Sequence, residues 1–260
     1  MPADLSPIDK AKFAAAKCAS LLVEDGMKVG LGTGSTAAWM VRCLGERVRE
    51  EGLRITGVPT STRTADLARQ LGIEIVSLDE AKWLDLTIDG ADEFDPELNL
   101  IKGGGGAHLL EKIVATASDR MVVIADAAKE VAQLGAFPLP VEVVPFGWQT
   151  TRTIIEETLI SMDVLGRTTS LRQNGSQPFV TDEGNYILDL HLNRIGNPRQ
   201  LAVTLNQIAG VVETGLFIDI CDMVVIGGAE GQVELRDIAA GTVRQERIDF
   251  PDTVNIFTDL

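Results

Sequence analysis

A chain of 260 residues, 45% apolar and 23% charged, can bury a substantial core as one large α/β domain or two smaller ones, which excludes global disorder. Its formal charge of -15, with no run of Lys or Arg, speaks against a nucleic-acid partner, yet screening over about 8 Å leaves room for a locally basic pocket that holds an anionic small molecule. Nothing from Met1 to Leu22 reads as a signal peptide or membrane span, and the scattered Cys18, Cys43 and Cys221 read as reduced thiols of a cytoplasmic protein.

Helical periodicity runs from Pro7 to Glu24, with Phe13, Ala16, Leu21 and Leu22 as core positions. Lys28 to Leu31 reads as a strand that ends in Gly32-Thr-Gly-Ser-Thr36, and Ala37 to Val48 as a helix. The unit recurs: strand Ile55 to Val58, turn Thr60 to Thr62, helix Arg63 to Leu71, strand Glu74 to Leu78. A further strand, Leu84 to Ile88, leads into Asp89-Gly-Ala-Asp-Glu93. Gly103-Gly-Gly-Gly106 opens another helix, and Met121 to Ala125 is a nearly pure β run. Strands alternating with helices predict an α/β fold with a doubly wound parallel sheet.

Two prolines in Gly135-Ala-Phe-Pro-Leu-Pro140 mark a change of pattern. Strand Glu142 to Val144, helix Thr150 to Met162, strands Thr168 to Arg172 and Asn185 to Leu190, and a helix from Pro198 predict a smaller α+β unit. Val211 to Phe217 and Met223 to Ile226 are expected to return to the first sheet. The boundaries are therefore 1–135 plus 207–230 for the larger domain, 136–206 for the smaller, and 231–260 for a C-terminal extension that reads as a tail or a peripheral β element.

Three loops can carry chemistry. Gly32 to Ala37 fits a loose dinucleotide pattern, but the position after the next strand reads Pro59-Thr-Ser-Thr62 and supplies no acid for a ribose. The hydroxyls of Thr33, Ser35 and Thr36 suit a phosphate or sugar oxygen instead, beside N–H groups at a helix start. Asp89 and Asp92 follow an apolar strand at the carboxyl end, where open α/β sheets bind ligands; a turn with capping aspartates is the alternative. Asp89, Asp92 and Asp95 lack calcium-loop spacing, and no metal is expected.

Lys102 before four glycines is the most informative stretch, because such a run costs backbone entropy and is tolerated where backbone must approach something closely. Its N–H groups can accept an anion and Lys102 can neutralise an oxyanion. Glu111 lies five residues beyond the last glycine, either within reach of a molecule bound there or exposed and paired with Lys112. His108 reads as a capping or packing residue, and Lys129, after the Met121 to Ala125 strand, as a phosphate ligand or a surface lysine.

These segments, in order with Ala125-Asp-Ala-Ala-Lys129, Phe137 to Val143, Phe179 to Tyr186 and Gly210 to Phe217, closely resemble type A ribose-5-phosphate isomerase from Ala11 to Gly228. The resemblance implies a Rossmann-like domain with a smaller ferredoxin-like domain, a homodimer or homotetramer, and interconversion of ribose 5-phosphate and ribulose 5-phosphate without organic cofactor. It implies Glu111 as the catalytic base, with Asp89, Asp92 and Lys102 at the reacting end. It implies substrate contacts from Thr33, Gly34, Ser35, Thr36, Gly90, Ala91, Gly103, Gly104, Gly105 and Lys129. Leu110 and the length after Glu230 depart from the family pattern. The rival readings are a sugar-phosphate sensor, for which no DNA-binding module is visible, and an amino-sugar phosphate deaminase.

Overall fold

The computed structural model describes residues 5–250. In chain order it contains helix α1 (Pro7–Ser20), strand β1 (Lys28–Leu31), helix α2 (Ser35–Glu50), β2 (Thr56–Pro59), α3 (Thr62–Gln70), β3 (Glu74–Ile75), α4 (Leu78–Ala81) and β4 (Leu86–Gly90). Two short strands follow, β5 (Glu93–Phe94) and β6 (Leu100–Ile101), then α5 (His108–Thr116) and β7 (Met121–Asp126). Next come β8 (Leu139–Val143), α6 (Trp148–Leu159), β9 (Thr168–Leu171), β10 (Gln173–Asn174), β11 (Gln177–Pro178), β12 (Tyr186–His191) and α7 (Pro198–Asn206). The chain ends on β13 (Val211–Thr214), β14 (Leu216–Phe217), β15 (Met223–Gly227), β16 (Gln232–Asp237) and β17 (Thr242–Arg247).

The chain divides into two compact units. The first holds the described residues up to Gly90, Ile113–Lys129 and those from Ile220 onward. Its eight-stranded sheet has the order β17-β16-β15-β7-β4-β1-β2-β3, parallel from β15 to β3 and antiparallel at β16 and β17. Every residue of β7 and β15 is buried, the continuous apolar run of strands covered on both faces. Helix α1 starts cleanly because the Ser6 side chain accepts from the Asp9 N–H and Pro7 occupies the first turn. Its alanines allow close approach: a Cβ on Gly227 of β15 would lie 2.0 Å from the Ala11 carbonyl oxygen.

The second unit comprises Ala91–Lys112 and Glu130–Asp219. Its four-stranded sheet has the order β13-β8-β12-β9, antiparallel throughout, and β8-α6-β9-β12-α7-β13 is the split βαβ arrangement of ferredoxin-like folds. A three-stranded sheet, β14-β6-β5, belongs to the same unit.

Several expectations change. The division falls at Gly90, Lys112, Lys129 and Asp219, not at residues 135 and 206, because β6 pairs with β14 of the second unit and β5 pairs with β6, so the glycine loop that follows β6 goes with them. Val211 to Phe217 does not rejoin the first sheet: Val211–Thr214 pairs with β8 and Leu216–Phe217 with β6. Residues 76–78 leave the strand, since Ser77 forms a capping box with Glu80 and starts α4. The extension from residue 231 supplies β16 and β17 of the main sheet, where Val233 and Leu235 enter the core; its last ten residues lie outside those described. Among the described residues, no helix is long and apolar enough to cross a membrane.

Candidate active site

In the first unit, the carboxyl ends of β1 and β4 meet through parallel pairing of Leu31 with Ile88. Asp89 is fully buried, and one of its carboxylate oxygens accepts from the Thr33 N–H at 3.1 Å and the Gly90 N–H at 2.7 Å. Gly32 makes this approach feasible: a Cβ there would sit 2.1 Å from the same carboxylate oxygen. The glycine turn thus fixes an acid as well as opening a helix.

The Thr33 hydroxyl is held by its neighbours, with Thr60 Oγ1 at 2.7 Å and Ser61 Oγ at 2.9 Å, while Thr64 donates to the Gly32 carbonyl at 3.0 Å. The web orients the loop and leaves its outer face to Gly34, Ser35 and Thr36. Gly34, at φ +110°, is the N-cap of α2 and offers no side chain to accept the first-turn N–H groups. Lys12, reaching from α1, donates to Ser35 Oγ at 3.1 Å. Sequence reasoning did not single out Lys12; its partner lies 23 residues away, and only the packing of α1 beside α2 brings its ammonium, which is also 4.0 Å from Asp9 Oδ1, to a helix N-terminus, where it adds positive charge to the partial positive end of the dipole. Lys129 is half-buried in a short 3-10 turn after β7, whose start is capped by Asp126 accepting from the Ala128 N–H.

In the second unit, Lys102 and Glu111 are both buried, 2% and 4% exposed, and form an ion pair with Nζ 3.2 Å from Oε2. The alternative in which Glu111 pairs with Lys112 at the surface does not occur: Lys112 binds Glu213 Oε1 at 2.8 Å and the Thr214 carbonyl at 2.7 Å. Burial of both Lys102 and Glu111 is costly unless they neutralise one another, so the pair is a structural commitment of this loop and helix. Asp92 accepts from the Gly104 N–H at 2.7 Å, and a Cβ on Gly104 would lie 2.6 Å from its carboxylate. Gly103 and Gly106 have φ of +102° and +80°, a region that disfavours any side chain, while Gly104 and Gly105 are exposed.

The remaining acids of the Asp89 to Asp95 stretch have structural partners. Glu93 is buried and accepts from the Gly135 and Phe137 N–H groups, and Asp95 accepts from the backbone and side chain of Asn99. His108 is buried with its Nε2 3.4 Å from the Glu213 carbonyl and 3.9 Å from Glu142 Oε2. Burial, then the nearby Lys112 ammonium, pushes its pKa down to about 3, which keeps the ring neutral near pH 7. Glu142 is shifted upward by burial, although Asn185 and Thr181 donate to it and oppose that shift. Cys18 and Cys43 are free, buried thiols pushed up to about 12 by burial, and so are poor nucleophiles.

The structure therefore brings Thr33, Asp89 and Gly90 together in the first unit, and Asp92, Gly104, Lys102 and Glu111 in the second. A buried carboxylate beside a buried ammonium is an arrangement that can move a proton and neutralise a negative oxygen.

Comparison with known proteins places the chain in a family. Residues 56–231 match the family model for ribose 5-phosphate isomerase A, also called phosphoriboisomerase A. Ribose-5-phosphate isomerase A of Ruegeria sp. strain TM1040 is 76% identical, and that of Ruegeria pomeroyi 74%, each over 100% of this chain and 99% of the relative. Among solved structures, ribose 5-phosphate isomerase A from Methanocaldococcus jannaschii is similar at 40% identity and a TM-score of 0.77, covering 91% of this chain and 98% of the other. A D-ribose-5-phosphate isomerase in complex with phospho-erythronic acid matches at 38% identity and a TM-score of 0.80, over 94% of this chain and all of the other. With both glycine turns, the buried Lys102–Glu111 pair and likeness over the full length, the chain belongs to the ribose 5-phosphate isomerase A family.

Proposed function

We propose that this chain interconverts D-ribose 5-phosphate and D-ribulose 5-phosphate, with Glu111 as the single base. The observation that carries the reading is the buried Lys102–Glu111 pair at 3.2 Å, set at the junction of the glycine loop and α5. In the aldose-to-ketose direction, Glu111 takes the proton from C2 of the open-chain sugar and returns it to C1. One carboxylate serves both carbons because the intermediate enediolate keeps them adjacent and coplanar. Lys102, itself buried, and the loop N–H groups stabilise the negative oxygen. Asp89 moves hydroxyl protons and assists ring opening, and Asp92, fixed by Gly104, orients the reacting hydroxyls.

Thr33, Gly34, Ser35, Thr36, Gly90, Ala91, Gly103, Gly104, Gly105 and Lys129 supply the substrate contacts, and we assign Lys12, which donates to Ser35 Oγ, as a further phosphate ligand; the hydrogen bond supports that reading. Anchoring the phosphate lets binding energy orient the distant carbons. The relative that binds phospho-erythronic acid supports this reading, because a sugar acid's planar carboxylate has the shape and charge of an enediolate. We further place the enzyme in the cytoplasm, in the non-oxidative branch of the pentose phosphate pathway, as a homodimer or homotetramer.

The test is the conversion of ribose 5-phosphate to ketose by wild type and Glu111→Gln. The variant is expected to fold and to bind substrate, with kcat lower by about 10³-fold, the range of a lost general base. Turnover like wild type in Glu111→Gln would remove the assignment.

A further inference from the structure

The glycine loop is gripped by a side chain to which the proposed mechanism gives no role. Arg172 follows β9 in the second unit, and its Nη1 donates to two successive loop carbonyls, Gly103 O at 2.7 Å and Gly104 O at 3.2 Å. The other edge of the guanidinium is held by Asp189 of β12, with Nε to Oδ2 at 3.0 Å and Nη2 to Oδ1. Its carbon lies 5.9 Å from the centre of the Phe179 ring, which itself covers Gly106 so closely that a Cβ there would meet the ring at 2.5 Å. The Arg172 and Asp189 side chains are only 14% and 17% exposed, so the pair is shielded from competing water.

A trans peptide is planar, and its N–H points opposite to its C=O. Holding the Gly103 carbonyl therefore aims the Gly104 N–H away from Arg172, where it meets Asp92 at 2.7 Å. Holding the Gly104 carbonyl turns the Gly105 N–H in the same sense. Glycine peptides rotate easily by themselves, and the loop contains four glycines in a row. An external clamp is what gives such a loop one set of N–H directions.

We propose that Arg172, oriented by Asp189, is the positioning residue that fixes the peptide planes of the Gly103–Gly105 loop, so that its N–H groups face Asp92 and the developing oxyanion. The inference rests on the assignment of the Lys102–Glu111 loop as the reacting end. A fork is required, since lysine cannot hold two carbonyls and a bidentate carboxylate at once.

The test is steady-state kinetics of the full chain with Arg172→Met and Arg172→Lys, with phospho-erythronic acid as inhibitor and hydrogen–deuterium exchange over the Gly103–Glu111 segment. Both variants are expected to lose about 10²-fold in kcat, the cost of about 1 Å of misplacement, with little change in KM for ribose 5-phosphate. Inhibition by phospho-erythronic acid should weaken with kcat, and exchange should quicken in that segment alone. Wild-type kcat, inhibition and exchange in either variant would overturn the clamp. Glu111→Gln run in parallel separates the two claims: an inactive Glu111→Gln beside a fully active Arg172→Met sinks the clamp and leaves the base standing. If Glu111→Gln keeps its turnover, the base assignment falls, and the exchange rates still decide whether Arg172 orders the loop. Should Arg172→Met not fold, Arg172→Lys, which keeps the charge opposite Asp189, carries the same measurements.

Discussion

Two glycine turns lead from extended chain into a helix, and they are used differently. At Gly32–Thr36 the glycine makes room for Asp89, the Thr33 hydroxyl is tied down by Thr60 and Ser61, and the helix start is left to small hydroxyls and Lys12. At Gly103–Gly106 the backbone is clamped from outside by Arg172, and a full ion pair is buried beside it. The backbone device is common to both; the chemistry differs with what is buried next to it. A turn surrounded by hydroxyls and partial charges suits an anion that is already formed. A turn beside a buried carboxylate and ammonium suits charge that forms during reaction.

The contrast can be broken most strongly at Lys102. Lys102→Met should lower kcat by about 10²- to 10³-fold through loss of oxyanion stabilisation. It should also cost about 3–5 kcal/mol in denaturant unfolding, because Glu111 is left charged and buried. The double variant Lys102→Met/Glu111→Gln should regain much of that stability while staying inactive; a double variant no more stable than the single would deny that the pair is coupled.

Lys12→Ala should act at the other turn alone, raising KM by about tenfold through loss of one charge-assisted contact. Its kcat should stay near wild type, and a collapse of kcat with unchanged KM would assign Lys12 to chemistry. A pH effect concerns His108, between the glycine loop and Glu142. Its folded pKa of about 3 lies below its ordinary 6.5, so between those values the unfolded chain binds the extra proton. Stability from this residue is complete above about pH 6.5 and falls as pH drops toward 3, by at most about 1.4 kcal/mol per unit. Urea midpoints at pH 7 and pH 5 should differ less for His108→Gln than for wild type; equal differences would show that His108 contributes nothing to acid sensitivity.

Much of this was legible before folding. The strand, glycine turn and helix at Lys28–Glu50 follow from apolar runs broken by glycine, and β7 from an unbroken apolar run. Spacing alone puts Glu111 near the glycine loop, whereas its assignment as base rests on the family resemblance. Short strands were not legible: β5 and β6 have two residues each, too few for a period to show, and are formed by their pairing with each other and of β6 with β14. The same pairing moves the glycine loop into the second unit, where composition near Gly135 had put the boundary too late. The extension after residue 230 reads only as a tail or peripheral β element because its strands lie at an edge of the sheet, and β17 is exposed along its whole length.

What the sequence by itself determined is the order of the elements and the residue types at the two turns, since both depend on neighbours a few positions apart. Only tertiary structure decided which charge faces which. Glu111 could have answered Lys112, one residue away, but helix geometry turns adjacent side chains to different faces. Lys112 pairs with Glu213 and Glu111 with Lys102. Likewise Arg172 meets Gly103 across 69 residues and Lys12 meets Ser35 across 23, contacts that arise from strand pairing and helix packing rather than from any local pattern.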